Sequence, residues 1–148
     1  MQRILKHIAT LGPVGYIPYA PGTFGTLAAF GCSLIFQLTP AEHLILIIVG
    51  FIAGSFASTA AEKAFSQKDS RRIVIDEFVG YYVATLYVPN SLPLLVAAFF
   101  LFRFFDIIKP LMIHKLELTL SNGMGVMADD ILAGIYANIV LQIYLRVR

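Results

Sequence analysis

The segment HLILIIVGFIAGSFASTAA, residues 43–61, contains 19 residues without a formal charge. An apolar helix of about 20 residues spans the hydrocarbon core of a bilayer. The whole chain has 148 residues, of which 58% are hydrophobic and 14% are charged. Globular proteins have roughly 45–50% apolar and about 25% charged residues. The composition therefore excludes a disordered chain and indicates that much of the surface faces lipid.

This segment is predicted to be the second helix of a helical hairpin, which follows a loop. Residues 12–26 are rich in glycine and proline, which predicts a loop. The apolar segment Leu27–Leu38 follows and is separated by Thr39-Pro40 from the apolar segment Leu44–Ala61. We expect these two segments to form antiparallel helices.

A second hairpin is predicted beyond the polar residues 62–75. Helices are expected near 76–88 and 93–108, because the sequence PNSLP at residues 89–93 is a strong turn signal. The alternative is one long span over residues 78–102, which carry no charge.

A last apolar helix is predicted to begin at Asp129-Asp130, after a turn at residues 121–125, and to run to about Leu145. The sequence therefore predicts an all-α, integral membrane helical bundle of about five helical segments, made of two hairpins and a final helix. The length favours a single domain over residues 1–148.

The positions of the basic residues favour one orientation of this bundle. Short cytoplasmic loops of membrane proteins are enriched in Lys and Arg. With the N-terminus in the cytoplasm, Arg146 and Arg148 alone lie outside, and the other nine of the eleven basic residues face the cytoplasm. The sequence contains no evident signal peptide. We therefore expect a multi-pass protein of the cytoplasmic membrane, with five acids at the cytoplasmic face: Asp76, Glu77, Asp106, Asp129 and Asp130.

Two pairs of adjacent acids open predicted apolar helices: Asp76 with Glu77, and Asp129 with Asp130. Capping and the helix dipole explain one acid at a helix start, but explain two adjacent acids less well. Carboxylates at the edge of lipid need partners. Because Mg²⁺ prefers oxygen ligands, these four residues form a candidate magnesium site.

Arg103, Asp106 and Lys109 recur at intervals of three residues near the end of an aromatic helix. One interpretation is an ion pair between Arg103 and Asp106 on the helix surface, with a lysine that reaches towards the interface. The other is that one or both cations bind a phosphate, for which Arg offers two parallel hydrogen bonds and Lys a point charge.

Two further patterns contain glycine. The sequence PGTFGT at residues 21–26 can offer backbone N–H groups and the hydroxyls of Thr23 and Thr26 to a phosphate, although it is not a P-loop. Gly80 and Gly134 each lie four residues after an acid, and we expect them to permit close packing of helices.

Several functional classes receive no support from the sequence. The net charge of +2 gives no basic face for nucleic acid. The single cysteine, Cys32, can form no internal disulfide, and the three histidines lack the spacing of a zinc site.

Four motifs occur together in this order: residues 21–26 (PGTFGT), 76–80 (DEFVG), 102–110 (FRFFDIIKP) and 125–134 (GVMADDILAG). The chain closely resembles the phosphatidylglycerophosphatase A family over roughly residues 10–140. It departs from the family pattern within residues 111–122. The resemblance implies a bacterial inner-membrane enzyme that requires Mg²⁺ and removes the terminal phosphate of phosphatidylglycerophosphate.

On this hypothesis, Asp76, Glu77, Asp129 and Asp130 hold Mg²⁺, and Asp106 is a further catalytic ligand or orients Arg103. The phosphate is bound by Arg103, Lys109, Thr23, Thr26 and nearby amides. The nucleophile is water, with one carboxylate as base, or an aspartate that becomes phosphorylated. The partners expected are the phospholipid substrate and membrane lipid, with no obligate protein partner. A transporter that uses buried charges and a Mg²⁺-dependent lipid phosphotransferase remain the alternatives.

Overall fold

The computed structural model describes residues 1–109 and 123–147, and these residues form helices and no strands. A short 3₁₀ turn, Val14–Tyr16, lies between the first two of the α-helices. The six α-helices, numbered in chain order, are α1 (Gln2–Ala9), α2 (Pro21–Ile35), α3 (Pro40–Phe65), α4 (Ile75–Thr85), α5 (Leu92–Ile108) and α6 (Gly123–Val147).

The short helix α4 forms the centre of the bundle. Nine of its eleven residues are buried, and it packs against α2, α3, α5 and α6. Tyr81 is fully buried, and its hydroxyl donates a hydrogen bond to the carbonyl oxygen of Leu95 at 3.1 Å. Helices α2, α3, α5 and α6 therefore surround α4, while α1 packs mainly on α3.

The packing fixes the direction of each helix. A Cβ atom at Gly54 of α3 would lie 2.7 Å from Met127 Cε and 3.5 Å from Ile75 Cγ1, and one at Gly50 would lie 2.8 Å from Val79 Cγ2. Helix α3 is thus antiparallel to α4. The ends that meet near Ile75 and Met127 are called the site end below: the C-termini of α3 and α5 and the N-termini of α2, α4 and α6.

Glycines bring α4 and α6 into close contact. A Cβ atom at Gly134 of α6 would overlap the carbonyl oxygen of Gly80, and one at Gly80 would lie 2.8 Å from the carbonyl oxygen of Asp130. The prediction that both glycines serve close packing is therefore confirmed.

The separation of the second hairpin into two helices is also confirmed. Helix α4 ends at Thr85 and α5 begins at Leu92, so the single span over residues 78–102 is wrong. The two helices of the first hairpin are present and antiparallel, but each packs on α4 and they do not pack closely on each other. Helix α3 also extends beyond its predicted bounds at both ends. At its N-terminus Thr39 and Glu42 form a capping box.

Two predicted helix starts are wrong. Helix α2 begins at Pro21 and not at Leu27, because a proline is well accommodated in the first turn and Gly25 packs against Val74. Helix α6 begins at Gly123, six residues before Asp129, because Gly123 N–H donates to Thr59 Oγ1 and the glycine packs on α3. Ser121 and Asn122 of the predicted turn lie outside the described residues, as do Lys115, Arg148 and the departures at 111–122.

The N-terminal helix α1 was not predicted, so the described residues contain six α-helices and not the five predicted segments. Its Leu5 and Ala9 pack against a cluster that includes Ala57 and Ala61 of α3. Its sequence mixes basic and apolar residues in a helical period, but the segment is too short to stand out beside the long apolar runs.

Two helices, α3 and α6, are long and apolar enough to cross a membrane. Both expose large apolar side chains, as a lipid-facing surface does. These are Leu44, Ile45, Ile48, Val49, Ile52 and Phe56 on α3, and Ile135, Ile139, Val140 and Ile143 on α6.

The contact between α4 and α6 leads to a stability prediction. Gly134→Ala is expected to destabilise the protein by about 1–3 kcal/mol, because the added methyl group would overlap Gly80 O and lie 2.9 Å from Val83 Cβ. Thermal unfolding of the purified protein in detergent measures this effect. The control is Gly31→Ala on α2, where a Cβ meets nothing within 4 Å and the helix gains about 0.5–1 kcal/mol. Equal unfolding midpoints for the two variants would contradict the packing argument.

Candidate active site

A cavity of about 180 Å³ lies at the site end of the bundle, between the N-termini of α4 and α6 and the C-terminus of α5. Most of its lining is charged or polar. The described lining residues are Asp69, Ser70, Arg71, Ile73, Asp76, Glu77, Asp106, Lys109, Val126, Asp129 and Asp130.

Three carboxylates meet in this cavity. Asp76, Glu77 and Asp130 each have one oxygen that lies within 4.8 Å of the corresponding oxygens of the other two. The atoms Asp76 Oδ1, Glu77 Oε2 and Asp130 Oδ2 are buried and accept no hydrogen bond within the described part of the chain. Buried carboxylate oxygens normally have partners, so this trio has the chemistry to hold a positively charged ligand.

The positions of the acids on their helices differ from one another. Asp76 and Glu77 lie in the first turn of α4, where the helix dipole favours negative charge. Asp130 lies about two turns into α6, which has no acid in its first turn. The prediction that Asp129 and Asp130 open a helix is therefore wrong, and helix capping does not explain them.

Burial makes ionisation of this cluster costly. Burial raises the pKa of Glu77 to about 8, and the charges of Asp130 and Asp106 add to the rise. Burial also raises the pKa of Asp76 well above its usual range, and the adjacent Glu77 contributes. In the protein without a bound cation, the cluster therefore holds protons at neutral pH.

Two cations lie beside the trio, each held by an acid. Arg103 Nη1 donates a hydrogen bond to Asp106 Oδ2 at 2.6 Å, so the predicted ion pair on α5 is confirmed. Lys109 Nζ donates to Asp129 Oδ2 at 3.3 Å. Lys109 occupies the left-handed C-cap of α5, where the chain turns out of the helix. Asp129 therefore links α6 to the end of α5 and does not belong to the close trio.

The glycine-rich segment at residues 21–26 forms the start of α2 and not the predicted phosphate-binding loop. Thr26 is fully buried in α2, and its hydroxyl donates to Gly22 O at 3.0 Å. Thr23 is partly exposed in the first turn of α2, and neither threonine is among the described residues that line the cavity. A Cβ atom at Gly22 would overlap Glu77 Oε1, so this glycine allows α2 to approach the carboxylate trio.

Comparison with known proteins identifies the family. The family model described as phosphatidylglycerophosphatase A matches residues 7–145. This chain belongs to the phosphatidylglycerophosphatase A family. The resemblance carried by the four sequence motifs is thus confirmed, and the family is one of phosphoric monoester hydrolases.

Curated relatives cover most of the chain. It is 39% identical to phosphatidylglycerophosphatase A of Haemophilus influenzae, over 93% of this chain and 91% of the relative. It is 32% identical to phosphatidylglycerophosphatase A of Escherichia coli, over 82% and 72%. A protein of Bacteroides thetaiotaomicron, provisionally named a phosphatidylinositol-3-phosphatase, is 38% identical over 87% and 86%. No solved structure gives a significant match.

One side of the cavity is lined by residues that lie outside the four sequence motifs. Asp69, Ser70 and Arg71, in the connection between α3 and α4, also line it. Sequence reasoning treated residues 62–75 as a polar connection only. The position of this charged segment, directly before the Asp76-Glu77 pair, was the signal that could have indicated its place at the site.

The raised pKa of Glu77 leads to a prediction about pH. In the unfolded chain Glu77 ionises near 4.5, whereas in the folded, cation-free protein it ionises near pH 8. Its contribution to stability is therefore complete below about pH 4.5 and is lost as pH rises to 8. Glu77→Gln removes this loss, so in chelator the unfolding midpoint of the variant should rise relative to that of the wild type between pH 5 and pH 8. A midpoint difference that does not change with pH would contradict the burial of this carboxylate.

Proposed function

We propose that this protein is a Mg²⁺-dependent lipid phosphatase that hydrolyses the terminal phosphomonoester of phosphatidylglycerophosphate to phosphatidylglycerol and phosphate. The observation that carries the proposal is the carboxylate trio, in which one oxygen of each residue lies within 4.8 Å of the corresponding oxygens of the other two. Each of the three residues also has a buried oxygen that accepts no hydrogen bond within the described part of the chain. The names of the relatives from Haemophilus influenzae and Escherichia coli support this substrate.

The donor set of the trio suits Mg²⁺. Oxygens that share one octahedral Mg²⁺ lie on the order of 3–4 Å apart, so the trio needs little movement to hold the ion. No histidine or cysteine is among the described lining residues, so a softer metal finds no preferred ligand. Asp76, Glu77 and Asp130 would hold the ion. Asp129, in the same motif as Asp130, lies close by and is paired with Lys109. When bound, Mg²⁺ supplies positive charge that offsets the charge on the phosphate oxygens.

The remaining residues of the cavity provide for phosphate binding and proton transfer. Lys109 lines the cavity. Arg103 forms an ion pair with Asp106, which also lines the cavity. These cations orient the phosphoryl group, with a bidentate contact available to Arg103. Attack by water on phosphorus breaks the phosphomonoester bond, and the leaving alkoxide takes up the proton that a carboxylate has removed from the water. Asp106 and Asp129, which lie outside the trio, are the acids placed to accept the proton of the water.

We also propose an arrangement of the protein in the membrane. Helices α3 and α6 cross the membrane, and the bundle lies in the cytoplasmic membrane with its site end towards the cytoplasm, as the distribution of Lys and Arg favours. The acyl chains of the substrate then stay in lipid while the headgroup reaches the cavity. The acids that line the cavity lie at one end of the bundle, which gives no support to a transporter with charges along its length.

Activity measurements test the function and the metal. Purified protein in mixed micelles should release phosphate from phosphatidylglycerophosphate with Mg²⁺, and should lose this activity in chelator. Asp76→Asn and Asp130→Asn should each lower kcat by at least about a hundredfold, because each removes a ligand charge. The control Glu42→Gln changes an exposed acid at the opposite end of α3 and should keep full activity. Activity in chelator, or in either asparagine variant, would overturn the metal assignment.

Metal binding can also be measured without turnover. Mg²⁺ should raise the unfolding midpoint of the wild type, because a ligand that binds the folded state stabilises it. The same addition should leave the midpoint of Asp130→Asn nearly unchanged. An equal rise in both proteins would place the ion away from the trio.

A further inference from the structure

Arg71 occupies a fixed position at the rim of the cavity. The preceding residue, Ser70, is buried, and its carbonyl oxygen accepts a hydrogen bond from Ile73 N–H at 2.8 Å. The following residue, Arg72, lies over the rings of Tyr16 and Phe65, at 5.7 and 5.1 Å from their centroids. The backbone of Arg71 is thus held on both sides, and its side chain is exposed.

The connection that carries Arg71 is also fixed at both ends. Asp69 N–H donates to Glu62 Oε1 at 2.8 Å, which ties the connection to the end of α3. Val74 N–H donates to the carbonyl oxygen of Ala9 at 2.9 Å, which ties it to α1. This connection therefore presents Arg71 to the cavity as part of the packed structure.

Arg71 differs from the other two cations of the site. Arg103 is paired with Asp106, and Lys109 with Asp129. Within residues 1–109 and 123–147, Arg71 forms no ion pair. Asp69 also lines the cavity, and its charge acts on Asp76, so it belongs to the acidic side. Arg71 therefore offers an uncompensated guanidinium beside a cavity whose inner wall binds the phosphomonoester.

We propose that Arg71 binds a second anionic group of the substrate, the phosphodiester between the lipid and the terminal phosphorylated alcohol. This inference rests on the proposed function and adds a second phosphate subsite to it. A guanidinium matches the two free oxygens of a phosphodiester with parallel hydrogen bonds. The substrate is then held at two phosphates, the monoester at the acidic inner wall and the diester at the rim. Lipids that carry a single phosphate lack the outer contact and bind more weakly.

Inhibition by the two products of the reaction tests the two subsites separately. Phosphatidylglycerol retains the diester, and inorganic phosphate corresponds to the monoester. In mixed micelles with Mg²⁺, Arg71→Gln should raise KM for phosphatidylglycerophosphate about tenfold and change kcat less than about twofold. Inhibition by phosphatidylglycerol should weaken by a similar factor, and inhibition by inorganic phosphate should stay as in the wild type.

Two further variants serve as controls. Arg72→Gln makes the same change of charge at the adjacent residue, whose guanidinium is engaged with Tyr16 and Phe65, and should keep the wild-type KM. Arg71→Lys keeps the charge without the planar pair of donors, and should give an intermediate KM.

Each outcome separates the inference from the function on which it rests. If the wild type releases no phosphate from phosphatidylglycerophosphate, the proposed function fails. If the wild type is active and Arg71→Gln has the KM of Arg72→Gln, the second subsite is wrong. It is also wrong if phosphatidylglycerol does not inhibit the wild type, or if Arg71→Gln weakens inhibition by inorganic phosphate as much as inhibition by phosphatidylglycerol.

Discussion

The close contact between Gly80 and Gly134 determines where the functional residues of this protein meet. The two helices run in the same direction, and each glycine follows an acid by four residues, one helical turn. Asp76 and Asp130 therefore lie at the same level, one turn closer to the site end. A larger residue at either glycine would separate the helices and with them the carboxylates. The motifs at residues 76–80 and 125–134 each combine an acid with the glycine that positions it.

This contact also explains how the bundle tolerates charges that oppose folding. The carboxylates of Asp76, Glu77 and Asp130 are desolvated and repel one another, which raises the pKa of Glu77 to about 8. Packing of α4 on all sides compensates for this cost, since nearly all of its other residues are buried apolar or hydrogen-bonded groups. Such a balance between stability and function is common at active sites.

Much of the fold could be predicted from the sequence, and the parts that could not have physical reasons. Apolar runs and proline turns identified α3, α4 and α5, and the three-residue spacing identified the pair of Arg103 and Asp106. The starts of α2 and α6 were missed because their glycines look like turn residues, whereas tertiary contacts make them packing residues. The sequence grouped Asp129 with the metal ligands because it adjoins Asp130. Adjacent helical residues point about 100° apart, and here Asp129 points to Lys109.

The length of α4 explains why a cavity forms where it does. With 11 residues α4 is about 17 Å long, whereas α3 with 26 residues is about 39 Å long. A central helix shorter than its neighbours leaves space beyond both of its ends. A smaller cavity of about 50 Å³ lies at the far end, lined by Tyr82, Thr85 and His43 among others, and His43 Nε2 lies 2.7 Å from the carbonyl oxygen of Tyr82 there. The end with the N-terminus of α4 has the positive end of the helix dipole, which favours carboxylates and phosphates. The carboxylate trio, Arg103, Lys109 and the larger of these two cavities therefore share this end, and the direction of α4 decides which of the two spaces is suited to an anionic group.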